Sequence, residues 1–478
     1  MPGCSASHPQ RQTLRSCTNH PPAVSELSAS AQAPDPVVLP QGPAAWHRRI
    51  WTLTWPVILA NVTIPLVGVA DVTVMGRLPD PAYIAAVTMG SALFSAVYWL
   101  FGFLRMATTG LSAQALGSAN VAEIAAIFWR GCVIAVTLGV LLVCLQWPLA
   151  SLLFHWFDAT PDVAHLARDY YDLRILSAPA LLVYLVELGI LFGLQRMRHT
   201  LYLSVGLNLT NLGLDILLAL GLDMGVKGVA AGTVISECSA AIAGWVLVQR
   251  ALREHGWWKG RPRQLWRGHA VRGWFGISTN LILRTFCVQL PFFVGTLLAT
   301  QLGAVTLAAH GILMQLFFIM TYSLDGFAHT AETLAGFAYG AQQREVLRQT
   351  TRYCALWAMF FALLTCLLFG FAGTTLVDAM SVAANVRQTA SHYLLWLAIS
   401  PLLCVWAFLF DGIFIGTTHI REMRNAMFAA ALLWGALLWL TFDACAYEAV
   451  WLTLNSFMLA RSILMALYYP RIERTISA

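Results

Sequence analysis

The sequence predicts an all-α integral membrane protein: twelve transmembrane helices in two parallel-repeat six-helix lobes. Three observations lead there. Of 478 residues, 58% are hydrophobic and only 11% charged, against roughly 25% charged in soluble domains. Apolar runs of spanning length recur from Trp51 onward, and the second half of the chain repeats the first. A soluble chain of this length needs a charged skin that so few Asp, Glu, Lys and Arg cannot supply. The 18 Trp and 35 Gly suit lipid, where aromatic rings anchor at headgroups and small residues let helices approach closely.

A bilayer core needs about 20 helical residues per crossing, and open strands would leave backbone groups unpaired in hydrocarbon. The runs fall at 53–76, 84–105, 122–147, 170–194, 201–222, 226–250, 273–299, 305–336, 351–373, 390–416, 424–442 and 447–469. The eighth is long and carries Asp325 and Glu332, so its last turns are expected to emerge into a cavity or the cytoplasm. Residues 1–45, rich in Pro, Ser, Ala and Gln, read as a disordered cytoplasmic tail without the continuous apolar core of a cleaved signal peptide. The expected divisions are then 46–252 for the N-terminal lobe, 253–269 for a cytoplasmic linker and 270–478 for the C-terminal lobe with a short tail.

Cations set the orientation. With the N-terminus inside, the inner segments hold Arg48, Arg49, Arg196, Arg198, Arg272, Arg421, Arg424 and Arg461 among others. The outer segments hold Arg77, Arg168, Arg174, Lys227 and Arg387, an imbalance of roughly four to one. Both termini are therefore expected in the cytoplasm, with the chain multi-pass in the plasma (inner) membrane. The net charge of +6 follows from this topology: the cations are scattered through short loops and the only lysines are Lys227 and Lys259. No nucleic-acid partner is expected; membrane lipid and small molecules are, and the protein is expected to be a monomer. The ten cysteines lie mostly inside apolar runs without a C-x-x-C pair and read as packing residues.

Sliding the halves by about 223 residues superposes AAVTMGSALF on AAHGILMQLF, placing Ala85, Phe94, Leu111, Ala115 and Gly117 on Ala308, Phe317, Leu334, Ala338 and Gly340. At nearly that offset Pro179 meets Pro401, and GILFGLQRMR (189–198) meets GIFIGTTHIR (412–421). Six helices return the chain to its starting side, so the repeats are parallel about an axis along the membrane normal, as in transporters that rock two lobes about a central site.

An ionisable group in hydrocarbon costs at least about 2.5–3.5 kcal/mol, so each one needs a reason. The stretch LNLTNLGLD spaces Asn208, Asn211 and Asp215 by three and then four residues, on one helical stripe. Thr233 and Glu237 form an i, i+4 pair in the sixth run, and the first run carries Asp71 with Pro56, Pro65, Gly68 and Gly76 to let it kink. Carboxylates, amides and hydroxyls meeting in one lobe can hold a proton or a sodium ion. Asp71, Asn211, Asp215 and Thr233 are the candidate cation-coupling set, with Na⁺ at Asp71, Asn211 and Asp215; Asn208, Glu187, Glu237 and Asp411 form a secondary polar set. The alternative for Asn208 and Asn211 is interhelical hydrogen bonding. No phosphate loop or H-E-x-x-H helix occurs, so neither an ATP-driven pump nor a membrane metalloprotease is expected, nor an enzyme or cofactor of any kind. His310 and His329 are assigned to packing or a capped hydrogen bond.

The segments WPVILANVTIPLVGVADVTVMGRL (55–78), FGFLRMATTGLSAQALG (101–117), NLTNLGLDILLALGLDMGVKGVAAGTVISE (208–237) and LAAHGILMQLFFIMTYSLDGFAHTAETLAGFAYG (307–340) resemble the multidrug and toxic compound extrusion (MATE) family, in particular its DinF-like branch. The resemblance implies an exporter of organic, often cationic or amphipathic, compounds in exchange for inward H⁺ or Na⁺. Matched position by position, the family's first-helix acid falls on Asp71, its fifth-helix Asn-x-x-x-Asp on Asn211 and Asp215, and its sixth-helix hydroxyl on Thr233. The NorM type adds a cation site in the second lobe, from a seventh-helix carboxylate and a tenth-helix Asp. Asp411 matches the latter, but no Asp or Glu occurs between Glu254 and Asp325, so coupling is expected in the N-terminal lobe. The alternative function is a lipid-linked precursor flippase of the same superfamily, whose cationic central cavity would have to draw on Arg105 and Arg284.

Overall fold

In hydrocarbon the backbone must bond within its own segment, and the described residues contain helices and short connections but no strand. The computed structural model describes residues 40–75, 81–154, 161–256 and 268–476. The helices are α1 (Pro43–Met75), α2 (Pro81–Leu100), α3 (Phe103–Gly117), α4 (Val121–Cys144), α5 (Gln146–Phe154), α6 (Pro161–Arg174), α7 (Ala178–Gly193), α8 (Met197–Asp215), α9 (Gly225–Glu254), α10 (Gly268–Gln301), α11 (Ala304–Gly340), α12 (Arg344–Met380), α13 (Ala384–Gly416), α14 (Ile420–Cys445) and α15 (Tyr447–Thr475). Ten stretches among the described residues are long and apolar enough to span a membrane, with α6 and α7 running on as one and α8 continued by a π-helical turn, Ile216–Gly221. The other two runs of the sequence are α1 and the α2–α3 pair.

The structure departs from the expected topology at the eighth run and at two arginines. The eighth run is one helix of 37 residues, and its Glu332 does not emerge but is buried at 1% exposure. Arg461 and Arg174, assigned above to inner and outer loops, lie inside the helical body: Arg461 is 2% exposed on α15, and Arg174 ends α6 against buried partners. The paired prolines also differ. Pro179 opens α7 after a 3₁₀ turn at Ile175–Ser177, whereas Pro401 sits inside an unbroken α13. The eight described cysteines are all free. The tail expected over 1–45 lies outside the described residues up to 39, as does the linker from 257 to 267; α1 begins at Pro43.

Between helices in lipid there is little hydrophobic drive, so close backbone approach and polar contacts must hold the bundle. Within the first half α3 and α4 pack on α7, α8 on α9 and α1 on α8; within the second, α11 and α12 pack on α13, and α14 on α15 and α10. Glycines set these approaches, and they do so twice. A Cβ on Gly189 would meet the Arg105 carbonyl oxygen at 2.7 Å, and one on Gly412 would strike that of Ala328. Gly193 and Gly416 repeat the arrangement against the backbone nitrogens of Ala113 and Gly336, each at 2.9 Å. The 223-residue offset read from the sequence therefore holds atom for atom at the helix crossings.

The halves meet along α3–α11, α1–α11 and α3–α13. From its N-terminal end, α1 stacks Trp46 on Tyr353, accepts the Trp357 indole N–H on His47 Nδ1 at 3.1 Å, pairs Thr54 with Thr330 at 2.8 Å, and donates from Asn61 to the Tyr322 carbonyl at 3.2 Å. Partner numbers on α11 fall as those on α1 rise, so these two helices run antiparallel.

Candidate functional site

Two members of the fifth-run stripe, Asn211 and Asp215, meet Thr233 of the next helix. The Asn211 amide N–H donates to Asp215 Oδ1 at 3.4 Å and to Thr233 Oγ1 at 3.2 Å, joining α8 to α9. Thr233 gives its own hydrogen to the Val229 carbonyl at 3.0 Å, so its oxygen faces Asn211 as an acceptor. All three side chains are buried, Asp215 fully. The local cause lies in the sequence of α9: a Cβ at Gly232 would strike Asp215 Oδ1, and one at Gly228 would meet the Ala219 nitrogen at 2.7 Å. This small-xxx-small spacing lets α9 press against the end of α8. Asp215 is also the last α-helical residue before the π turn, a distortion that recurs at functional sites and that periodicity does not reveal. Carboxylate, amide and hydroxyl oxygens are hard donors that suit a proton or an alkali cation.

Asn208 donates to Thr63 Oγ1 at 2.6 Å, tying α8 to α1, so its described role is an interhelical bond. Asp71 lies on α1, and its side chain is outside the described residues.

The other acids have other surroundings. Glu187 on α7 is fully buried against Gly244, and neither carboxyl oxygen has a hydrogen-bond partner among the described residues. Glu237 on α9 accepts from Arg174 at 3.3 Å, and Arg174 also donates to the Tyr170 hydroxyl at 2.7 Å and lies over the Phe94 ring. That network is a brace between α6 and α9. Asp411 on α13 takes Arg284 of α10 and Arg461 of α15 on the same oxygen, Oδ2. Two guanidinium groups already neutralise it, so a second-lobe cation site does not fit these residues.

Sequence reasoning missed a further charged cluster where the halves meet. Arg105 of α3 donates to Glu332 of α11 at 3.4 Å, and His329 Nδ1 lies 3.1 Å from the same oxygen. Arg105 also lies over the Phe192 ring, and Asp325 is within electrostatic reach of Arg105, His329 and Arg284. Internal arginines at 105 and 284 were the available signal; nothing in the sequence paired them. His310, by contrast, is satisfied by the Tyr447 hydroxyl at 2.8 Å and Thr296 at 3.3 Å, the structural role expected of it.

Two repeat-related helical lobes, joined along one seam and holding buried polar clusters, define a polytopic membrane transporter rather than an enzyme. The chain belongs to the MatE family, whose model matches residues 56–217 and 281–440. It is 35% identical over 424 residues to DNA damage-inducible protein F of Escherichia coli K12, covering 89% of this chain and 92% of that one. It is 25% identical to human multidrug and toxin extrusion protein 1 over 71% of this chain, and spans 60% of that longer relative. Two solved structures share the fold at TM-score 0.81 and 17% identity: a MOP superfamily transporter from Pyrococcus furiosus, covering 91% of this chain and 97% of its own, and the outward-facing conformation of a multidrug resistance MATE family transporter, covering 90% and 96%.

Proposed function

We infer that the protein is a secondary exporter that expels organic, cationic or amphipathic compounds in exchange for inward H⁺ or Na⁺, with coupling in the N-terminal lobe at Asp71, Asn211, Asp215 and Thr233. The observation that carries this reading is the buried Asn211–Asp215–Thr233 cluster, closed by Gly232. Charge is expensive here, and Asp215 shares this buried cluster with the amide of Asn211 and, through it, the hydroxyl of Thr233. In the topology read from the sequence, α1 and α8 are odd-numbered crossings and run the same way. Counting from the Thr63–Asn208 bond, Asp71 and Asp215 stand at the same level of the membrane. Binding or release of the ion there would act on both helices, and α1 also carries the seam with α11. The names of the relatives, multidrug and toxin extrusion protein among them, support the substrate class.

Under this reading the lobes are 46–252 and 270–478, joined by the cytoplasmic linker 253–269, in a monomer of the plasma membrane whose termini both lie in the cytoplasm. The seam at the α1 N-terminal end is then cytoplasmic, and the arrangement described is closed on that side. The flippase alternative drew on Arg105 and Arg284; both are engaged, by Glu332 and Asp411, which weakens the case for a free cationic cavity. The test is efflux of a fluorescent organic cation from proteoliposomes under a pH gradient alone and a sodium gradient alone. Gradient-driven efflux that Asp71→Asn and Asp215→Asn each abolish is expected; full transport by both variants would overturn the assignment.

A further inference from the structure

We propose that the cleft between the first turns of α10 and α14 binds the headgroup phosphate of an anionic phospholipid. The cleft is a cavity of about 620 Å³ lined by Arg272, Arg421 and Arg424 with Phe275, Thr279 and Asn280, and no acidic side chain lines it. Arg272 and Arg421 have no ion pair or hydrogen bond among the described residues. Arg424 donates to Asn280 Oδ1 at 2.6 Å and to Asn425 Oδ1 at 2.8 Å, both neutral, so its charge stays uncompensated. Asn280 is itself buried and fixed by a 2.6 Å bond to the Gly276 carbonyl, which holds Arg424 in place before any ligand arrives. Glu422, the acid nearest in sequence, is not among the residues that line the cleft.

The repeat supplies an internal comparison. Arg272 is the counterpart of Arg49 at the 223-residue offset, and Arg49 donates to Gln195. The counterpart of Gln195 is Thr418, which is taken by Gln114 of the other half at 3.1 Å. The first lobe thus satisfies this arginine internally, while the second leaves it facing a cavity.

What lies beyond the cations selects a lipid over a free anion. On α14, Arg421 and Arg424 continue along one stripe into exposed Phe428 and Leu432. On α10, Arg272 continues through exposed Phe275 into Leu283, Phe286, Leu290 and Phe293, also exposed. Each helix therefore presents cations at one end and an exposed, mainly apolar track below them, broken on α10 by Thr279 at the cleft itself, matching an anionic head with acyl chains. Basic pockets between membrane helices take such headgroups, and arginine favours phosphate through its paired donors.

The test uses the full-length protein in nanodiscs of equal parts dioleoylphosphatidylglycerol and dioleoylphosphatidylcholine, with retained lipid read by native mass spectrometry. Three arginines near the surface should give a preference for phosphatidylglycerol on the order of 100-fold. R272Q/R421Q/R424Q should bring it close to parity, and Arg272→Gln alone, an exposed site that serves if the triple variant misfolds, should lower it by about fivefold. Equal retention of the two lipids by the unmodified protein, an unchanged preference in the arginine variants, or displacement of the retained lipid by inorganic phosphate at millimolar levels would each overturn the proposal.

Discussion

Gly117 and Gly340, one in each half, pack reciprocally across the seam: a Cβ on Gly117 would strike the Phe337 carbonyl oxygen, and one on Gly340 that of Gln114. The obstacle in both cases is backbone, which has no side-chain rotamer to give way. Gly340→Ala should therefore force α3 and α11 apart, at the roughly 1–3 kcal/mol typical of overpacking, and bias the protein toward separation of the lobes at this end. Cross-linking of a Thr54→Cys, Thr330→Cys pair, whose native hydroxyls lie 2.8 Å apart, should fall in yield. Gly370→Ala, where an added Cβ meets nothing within 4 Å, should leave the yield unchanged.

The N-terminal cluster predicts a graded series. Thr233→Val removes the acceptor that holds Asn211 while keeping the shape, and one hydrogen bond of about 1–1.5 kcal/mol corresponds to roughly a tenfold rise in the ion concentration needed for half-maximal efflux. Thr233→Ser should recover most of that loss. Gly232→Ala, which touches no ion itself but displaces the Asp215 carboxylate, should be as damaging as Asp215→Asn. Normal ion dependence in Gly232→Ala would show that the position of Asp215 is not what coupling requires.

Much of this was legible in the sequence. Among the described residues ten of the expected spans appear as stretches long and apolar enough to cross a membrane, because length and hydropathy are what a bilayer demands and both are local properties. The 223-residue offset reappears as matched glycine crossings because a repeat must reproduce its own close approaches. The Asn211–Asp215 stripe was readable from helical spacing alone. Partners distant in sequence were not: Arg461, within the last apolar run, reads as one more inner-side cation, and only the fold brings it 50 residues back onto Asp411. Glu332 looked like a residue about to leave the membrane because its partner, Arg105, lies 227 positions away in the other half.

That Arg105–Glu332 contact joins the halves, so its removal should act on their equilibrium. Arg105→Gln leaves Glu332 buried with only His329 beside it, and Glu332→Gln leaves the guanidinium facing an amide. Each single variant should lower thermal stability. The double variant should cost less than the sum, with a coupling of about 0.5–3 kcal/mol, as expected for residues in one network. Unfolding of the four proteins in detergent measures the cycle, and strict additivity would mean the contact contributes nothing.

The Arg284–Asp411–Arg461 triad yields the sharpest contrast with a coupling site. Asp411→Asn leaves two buried guanidinium groups without the carboxylate oxygen they share, a loss of about 3–5 kcal/mol by analogy with broken buried ion pairs. Arg284→Met removes the repulsion along with one partner and leaves a neutral Arg461–Asp411 pair, so it should cost less. If Asp411 is structural, efflux by whatever Asp411→Asn protein folds should keep the ion dependence of the unmodified protein, while its thermal midpoint falls. If Asp411 instead binds the coupling ion, the ion dependence should change and the midpoint should hold. Measuring both on the same preparation separates the two roles, and the two arginines on a single carboxylate oxygen point to the structural one.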